Sequence, residues 1–349
     1  MKIHDLELYL VDVGRGGPSS GGRRLLVRVK GARGLDGWGE AGVPWRTAEL
    51  AGRREALLAV LAGRSIYDIE ELHEIESLTP APLRSAVEMA VWDLLGHALR
   101  QPLCNLWGGY YRRRIPVSVR LTGCRPKSSA QVSRELADQG FHTQTVVTDG
   151  RPDDDIKVLA AIRELVGDRI ELRWDGRNRF DMETAQELCA ELEQQRVELA
   201  IDPLNSQELK PMAQLGRQTN VPLCAWRTLR APSDVLATVR CNAAPFAVID
   251  LDQVGGIVPA RACAAIAAAA GVTPLLGGVP SLGIATAAML HLAAATTAFS
   301  AANEMAAGQT RDTVLGDSLE ITGGMIAVPE GHGLGVTVDR AKLERRQPA

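Results

Sequence analysis

Between Ile170 and Gly278 the chain falls into five short apolar runs, each closing on a polar residue or a glycine. IELRWDG (170–176) closes on Asp175, LAIDPL (199–204) on Asp202, and PLCAWRT (222–228) on Trp226 and Arg227. FAVIDLDQVGG (246–256) closes on Asp250 and TPLLGG (273–278) on Gly277. Successive ends stand roughly 25 residues apart, the length of one strand plus one helix and the internal period of a (β/α) barrel. Side chains at the C-terminal ends of parallel barrel strands converge on one mouth, so these residues are predicted to meet in space.

The flanks follow other periods. Leu6, Leu8 and Leu10 alternate with polar residues, and with RRLLVRVK (23–30) and GWGEAGVP (37–44) they predict an antiparallel sheet. GRGGPSSGG (14–22) reads as its mobile turn. Helices are predicted over 47–62, 66–76 and, more strongly, 82–99, where Ala86, Met89, Ala90, Val91, Leu94 and Leu95 share a face. Strand and helix then alternate from RIPVSVRL (114–121) through a helix at 131–140, a strand at 142–147 and a helix at 153–167. The Asp153–Asp155 run suits that last helix's N-terminus. The Ala-rich segments 259–270 and 284–298 read as small-faced outer helices. After about 315, DSLEI (317–321) and residues 323–339 read as strands and turns returning to the N-terminal part, with a polar tail from Lys342 expected to fray. The resulting division is a cap over 1–113, a barrel over 114–315 and a return over 316–349.

Composition narrows the function classes. The 349 residues are 46% hydrophobic, enough for a large core, and the net charge of −3 gives no electrostatic case for nucleic acid or an anionic membrane. The longest apolar region, 284–299, is interrupted by His291 and too short to span a bilayer. Six scattered cysteines (Cys104, Cys124, Cys189, Cys224, Cys241, Cys263) form no CxxC pair and read as reduced thiols of a soluble, cytoplasmic protein.

SAVEMAVWDLLGHALRQPLCNLWGG (85–109), with GWGEAG near the start, VGG at 254–256 and EGHGLGV at 330–336, resembles the enolase superfamily in its mandelate racemase and muconate lactonizing enzyme branch. The resemblance covers nearly the whole chain and implies an α/β fold. It is a modified (β/α) TIM-type barrel under an α+β cap built from both termini, the outline the periodicity gives independently. It also implies a homo-oligomer and a small carboxylate substrate. In that family Mg²⁺ and a Lys, or a His–Asp pair, remove the proton next to the carboxylate. A hard cation needs oxygen ligands, so three successive strands end in carboxylates.

Against that template Asp175 matches the first metal ligand and Asp202 the second, one methylene shorter than the usual Glu. The third position falls on Trp226 and Arg227. The Lys-x-Lys positions fall on Thr145 and Val147, and the dyad's His would fall near Gly277. Asp250 stands where the branches hold a Lys or the dyad Asp. The expectations are therefore that no metal or other cofactor is used, and that Arg227 occupies the metal's place and pairs with Asp175 and Asp202. Asp250 is the candidate base, set against a buried, paired acid. Trp226 fills vacated volume or stacks on a ligand. Glu304, in SAANEMAAG, bonds a ligand at the mouth or is simply solvated at a helix start. His142 and His291 read as structural, and Gly255 and Gly256 as a tight turn. Two functions stay open. One is a family member that has lost Mg²⁺-assisted α-proton abstraction and binds a small carboxylate or polar ligand. The other is an atypical racemase, dehydratase or cycloisomerase with Arg227 in place of the metal's charge and Asp250 as base.

Overall fold

The computed structural model describes residues 1–13, 23–123, 125–278, 281–304 and 313–347. The expected turn at 14–22 and Cys124 lie outside the described residues. The chain opens with an antiparallel sheet in the order β1 (Asp5–Asp12), β2 (Arg23–Lys30), β3 (Asp36–Gly42). Leu6, Leu8 and Leu10 alternate inward along β1 and are buried with Leu25, Val27 and Val29 of β2. α1 (Leu50–Leu61) and α2 (Ala81–Leu99) cover that face. Between them the helix expected over 66–76 does not form. Single 3-10 turns at Glu70–Glu74 and Glu76–Leu78 flank an extended Ile75. Glu70 and Glu74 would be like charges one helical turn apart, which disfavours continuation.

The GWG of β3 is a packing device. A Cβ on Gly39 would lie 1.9 Å from the Ala86 carbonyl oxygen, and one on Gly37 2.2 Å from that of Ala90, so the α2 backbone rests directly on β3. Without a side chain at either place, the two backbones touch.

After α3 (Leu103–Leu106) and β4 (Arg114–Pro116), the barrel strands follow. They are β5 (Val119–Leu121), β6 (Thr143–Val147), β7 (Glu171–Asp175), β8 (Val197–Ile201), β9 (Leu223–Ala225), β10 (Phe246–Asp250) and β11 (Thr273–Gly277). They form one parallel sheet in chain order. Parallel bridges Gly277↔Glu304 and Val117↔Asn303 close it. The connecting helices are α4 (Pro126–Asp138), α5 (Pro152–Val166), α6 (Met182–Gln194), α7 (Leu209–Gly216), α8 (Pro232–Cys241), the short α9 (Leu251–Val254), α10 (Ile257–Ala269) and α11 (Ile284–Ala295). The TIM-type barrel under an α+β cap is the fold expected.

Two further elements depart from expectation. α11 is not an outer helix: every residue from Ile284 to Ala294 is buried. Its alanines let it wedge between the barrel and the cap, against α3 and β3. The tail from Lys342 is also not frayed through 347. Asp339 caps α12 (Arg340–Glu344), Leu343 is buried, and the Lys342 ammonium donates to the Leu315 carbonyl at 2.6 Å. The returning chain adds β12 (Ile321–Thr322) and β13 (Met325–Ala327), the latter antiparallel to β4. Leu334 N–H bonds Asp93 of α2 at 2.7 Å.

Candidate active site at the barrel mouth

Strand alternation decides what enters the barrel. Leu199, Ile201, Cys224, Trp226, Val248 and Leu275 form an apolar cluster inside it. Beside this lies a polar sector of Ser118, Arg120, Thr145, Arg173, Asp175 and Glu304, joined by hydrogen bonds. Asp175, Asp202, Asp250 and Glu304 are all buried.

The carboxylates are held by arginines. Arg227 Nη1 donates to Asp175 Oδ1 and to Asp202 Oδ2, each at 2.9 Å, and Nη2 donates to Asp175 Oδ2 at 2.8 Å. Arg120, on β5, donates from its other side to Asp175 Oδ2 and, at 3.1 Å, to Glu304 Oε2. Glu304 Oε1 accepts from Thr145 Oγ1 at 2.7 Å and from Arg173 at 2.9 Å. Asp202 sits in left-handed backbone at φ 41° and accepts N–H bonds from Trp226 at 2.9 Å and Arg227 at 2.8 Å. The Trp226 ring lies against both guanidiniums, 5.1 Å from Arg120 and 4.8 Å from Arg227.

These surroundings separate the acids. Burial would raise Asp175, but Arg120 and Arg227 outweigh it and hold the carboxyl at about 2. Asp202 goes the other way: burial raises it, Asp175's charge adds to that, and Arg227 offsets only part. Asp250 is pushed up to about 6, by burial first and then by the charge of Asp252. Its Oδ2 accepts from Trp226 Nε1 at 3.3 Å and Gln253 Nε2 at 3.1 Å, its Oδ1 from the Asp252 N–H at 3.0 Å.

The sequence reading missed Arg120, Arg173 and Glu198. Arg120 carries the same signal as the other strand ends, a charge closing an apolar run, but Leu121 follows it and hides the boundary. Glu198 faces Arg173 because the β7–β8 register shifts between Leu172 and Arg173, leaving Glu198 unpaired across the ladder. A second buried charge group fastens the cap to the mouth. Arg24 of β2 donates to Glu40 and to Asp252, both at 2.9 Å, and Glu40 receives the N–H groups of Leu282 and Ala285 at 2.6 and 3.0 Å.

The remaining expected residues stand apart from this network. His291 is buried and neutral, pushed down to about 4 by burial, with its ring nitrogens bonded to the backbone of Cys104 and Leu334. His142 is exposed. Gly255 and Gly256 have positive φ, and a Cβ on Gly256 would strike the Glu88 carboxylate, so the pair makes room for α2. The five described cysteines are free thiols. No helix among the described residues is long and apolar enough to cross a membrane.

As placed, these residues do not fit a Mg²⁺. Both Asp175 oxygens and Asp202 Oδ2 are taken by guanidinium, and among the described residues no three His, Cys, Asp or Glu gather as a ligand set. A Mg²⁺ there would have to displace Arg227.

Residues 127–342 match the family described as enolase C-terminal domain-like, and residues 19–108 the mandelate racemase / muconate lactonizing enzyme N-terminal domain. The chloromuconate cycloisomerase of Pseudomonas putida is 27% identical over 98% of both chains. The N-succinyl-L-Arg/Lys racemase of Bacillus cereus is 25% identical over 77% of this chain and 76% of that protein. A crystal structure of an isomerase from Streptomyces coelicolor A3(2) superposes with a TM-score of 0.87 at 28% identity, covering 99% and 98% of the two chains. These matches overturn the expectation that no cofactor is used. The family's chemistry depends on Mg²⁺, and replacement of one ligand position by Arg227 does not by itself remove that dependence. Spanning both halves of the chain, they show that it belongs to the enolase superfamily, in its mandelate racemase and muconate lactonizing enzyme branch.

Proposed function

We propose that this chain binds a small carboxylate at the barrel mouth and has lost the family's removal of an α-proton. The observation that carries this is the continuous ion-pair chain Asp202–Arg227–Asp175–Arg120–Glu304. It places two guanidiniums, each a planar fork suited to a carboxylate, at the rim, with side chains 27% and 13% exposed for Arg227 and Arg120. The positions that would shuttle a proton hold Thr145, Val147 and Gly277. Thr145 is committed to Glu304 and Ser118, and a guanidinium is too strongly protonated to serve as a base. Calorimetric titration with butyrate tests the binding. A millimolar or tighter Kd, weakened at least tenfold in Arg120→Gln, supports the reading; no binding contradicts it.

One observation favours a second reading, an active isomerase or lyase with Asp250 as base. A carboxylate raised to about 6 is largely ionised at neutral pH yet more basic than an ordinary Asp. Arg227 would then stabilise the forming enediolate. In this reading α-proton exchange in D₂O is measurable and disappears in Asp250→Asn.

A further inference from the structure

In SAVEMAVWD of α2 stands a glutamate, Glu88, that the mouth does not use. It is fully buried at the seam between cap and barrel, with its carboxylate on the Gly256 backbone at the start of α10. A Cβ on that glycine would lie 1.6 Å from Oε2. Oε1 accepts the Val258 N–H at 2.9 Å and Trp92 Nε1 at 3.0 Å. Oε2 has no hydrogen-bond partner among the described residues. His73 Nε2 faces it at 3.6 Å and is itself without a partner. Two buried polar atoms aimed at each other, slightly farther apart than a hydrogen bond, lack only a proton and a small rotation to form one.

His73 belongs to a strap, residues 66–78, that lies over α2 and is anchored by Ile66, Ile69, Leu72 and Leu78. The strap is acidic. Glu71 is paired with Arg64, whereas Glu70 and Glu74 act on His73, and Glu70 on Glu88 as well. Arg84 is the cation that acts on His73, and its Nε donates to the Gly255 carbonyl at 3.1 Å. Charges on the other packed elements are engaged elsewhere. Glu40 of β3 and Asp252 of α9 pair with Arg24, Asp36 of β3 pairs with Arg28, and Arg261 of α10 is exposed. Burial pushes Glu88 up to about 7; the N–H groups of Val258, Trp92 and Ile257 offset only part, and Glu70 adds to the rise. Burial and then Arg84 push His73 down, against Glu70 and Glu74. Below neutral pH the pair therefore shares one proton, and above it that proton is lost.

We propose that Glu88 and His73 form a proton-operated latch, in which a hydrogen bond from Glu88 Oε2 to His73 Nε2 holds the strap on α2 and loss of that proton frees it. Without the proton Glu88 is a carboxylate beneath Glu70 and Glu74, and like charges push the strap away. Its bonds from Val258 and Trp92 strengthen at the same time, so the start of α10 stays fixed. The His73 side chain, 18% exposed, gives the proton its route to solvent. Hydrogen exchange of the whole chain at pH 6 and pH 8, read by mass spectrometry and corrected for the intrinsic effect of pH, tests this. In wild type, peptides from 66–78 should lose about tenfold or more of their protection at pH 8, and those from 257–269 less than about twofold. Glu88→Gln, neutral at both pH values, should hold strap protection within about threefold between them. His73→Leu, which removes the acceptor, should expose the strap at pH 6 as far as wild type does at pH 8. It keeps the test open if Glu88→Gln fails to fold, which circular dichroism checks. Strap protection unchanged by pH in wild type, or a loss shared equally by strap and α10, overturns the latch. So does a pH-dependent loss that survives Glu88→Gln, or a strap still protected at pH 6 in His73→Leu.

Discussion

Removing Arg227 falls more heavily on Asp202 than on Asp175. Asp175 would keep Arg120, whereas Asp202 would keep only two backbone N–H bonds. Arg227→Ala should therefore destabilise the fold by up to about 3–5 kcal/mol, less where water reaches the partly exposed site. In that background Asp202→Asn should recover more of the loss than Asp175→Asn. Urea denaturation of the single and double variants measures this, and strictly additive effects would show that the three residues do not interact. At this scale the sequence was legible where a charge visibly ended an apolar run, as at Asp175, Asp202, Arg227 and Asp250, and not at Arg120, where Leu121 follows the charge. It was not legible at Glu198, whose inward turn depends on a register shift with a strand some 25 residues away in sequence.

Among the elements, the contact of α2 with β3 depends on two missing side chains. Gly39→Ala would place a methyl carbon 1.9 Å from a carbonyl oxygen, and neither backbone can yield without shifting the sheet. A loss of about 1–3 kcal/mol or more is expected, read as a lower thermal midpoint. A Gly52→Ala control, where nothing lies within 4 Å of the added carbon, should be neutral or stabilising. A midpoint unchanged in Gly39→Ala would contradict the packing described. Helices and strands with strong periods were legible from composition and spacing alone. The segment 66–76 was not, because its apolar positions fit a helix while its acidic residues oppose one. Nor was the depth of α11: an alanine-rich sequence suits an exposed helix and a tightly wedged one equally.

Over the whole molecule, five buried acids among the described residues titrate high, Asp202 of the mouth among them. Glu88 is raised to about 7 and Asp93, Asp155 and Asp250 to about 6, burial leading in each case. The folded state holds these protons more tightly than the unfolded chain, so the stability they contribute is full below their ordinary values near 4 and is lost as pH rises toward 7. Asp175, held at about 2, loses its contribution only as pH falls below about 4. The urea midpoint should therefore fall from pH 5 to pH 8, and Glu88→Gln should lessen that fall. A midpoint that rises over this interval would contradict the account.

The central claim is the proposal that arginines at the mouth bind a carboxylate and that no group at the family's positions moves its α-proton. Proton NMR in D₂O tests it directly, with acid sugars, dipeptides and aromatic hydroxy acids as the panel. Each is run with and without added Mg²⁺, since the family depends on that ion. The account predicts no α-proton exchange above the buffer rate in either condition. Exchange that vanishes in Asp250→Asn would establish the active reading in its place, and exchange that survives that substitution would contradict both.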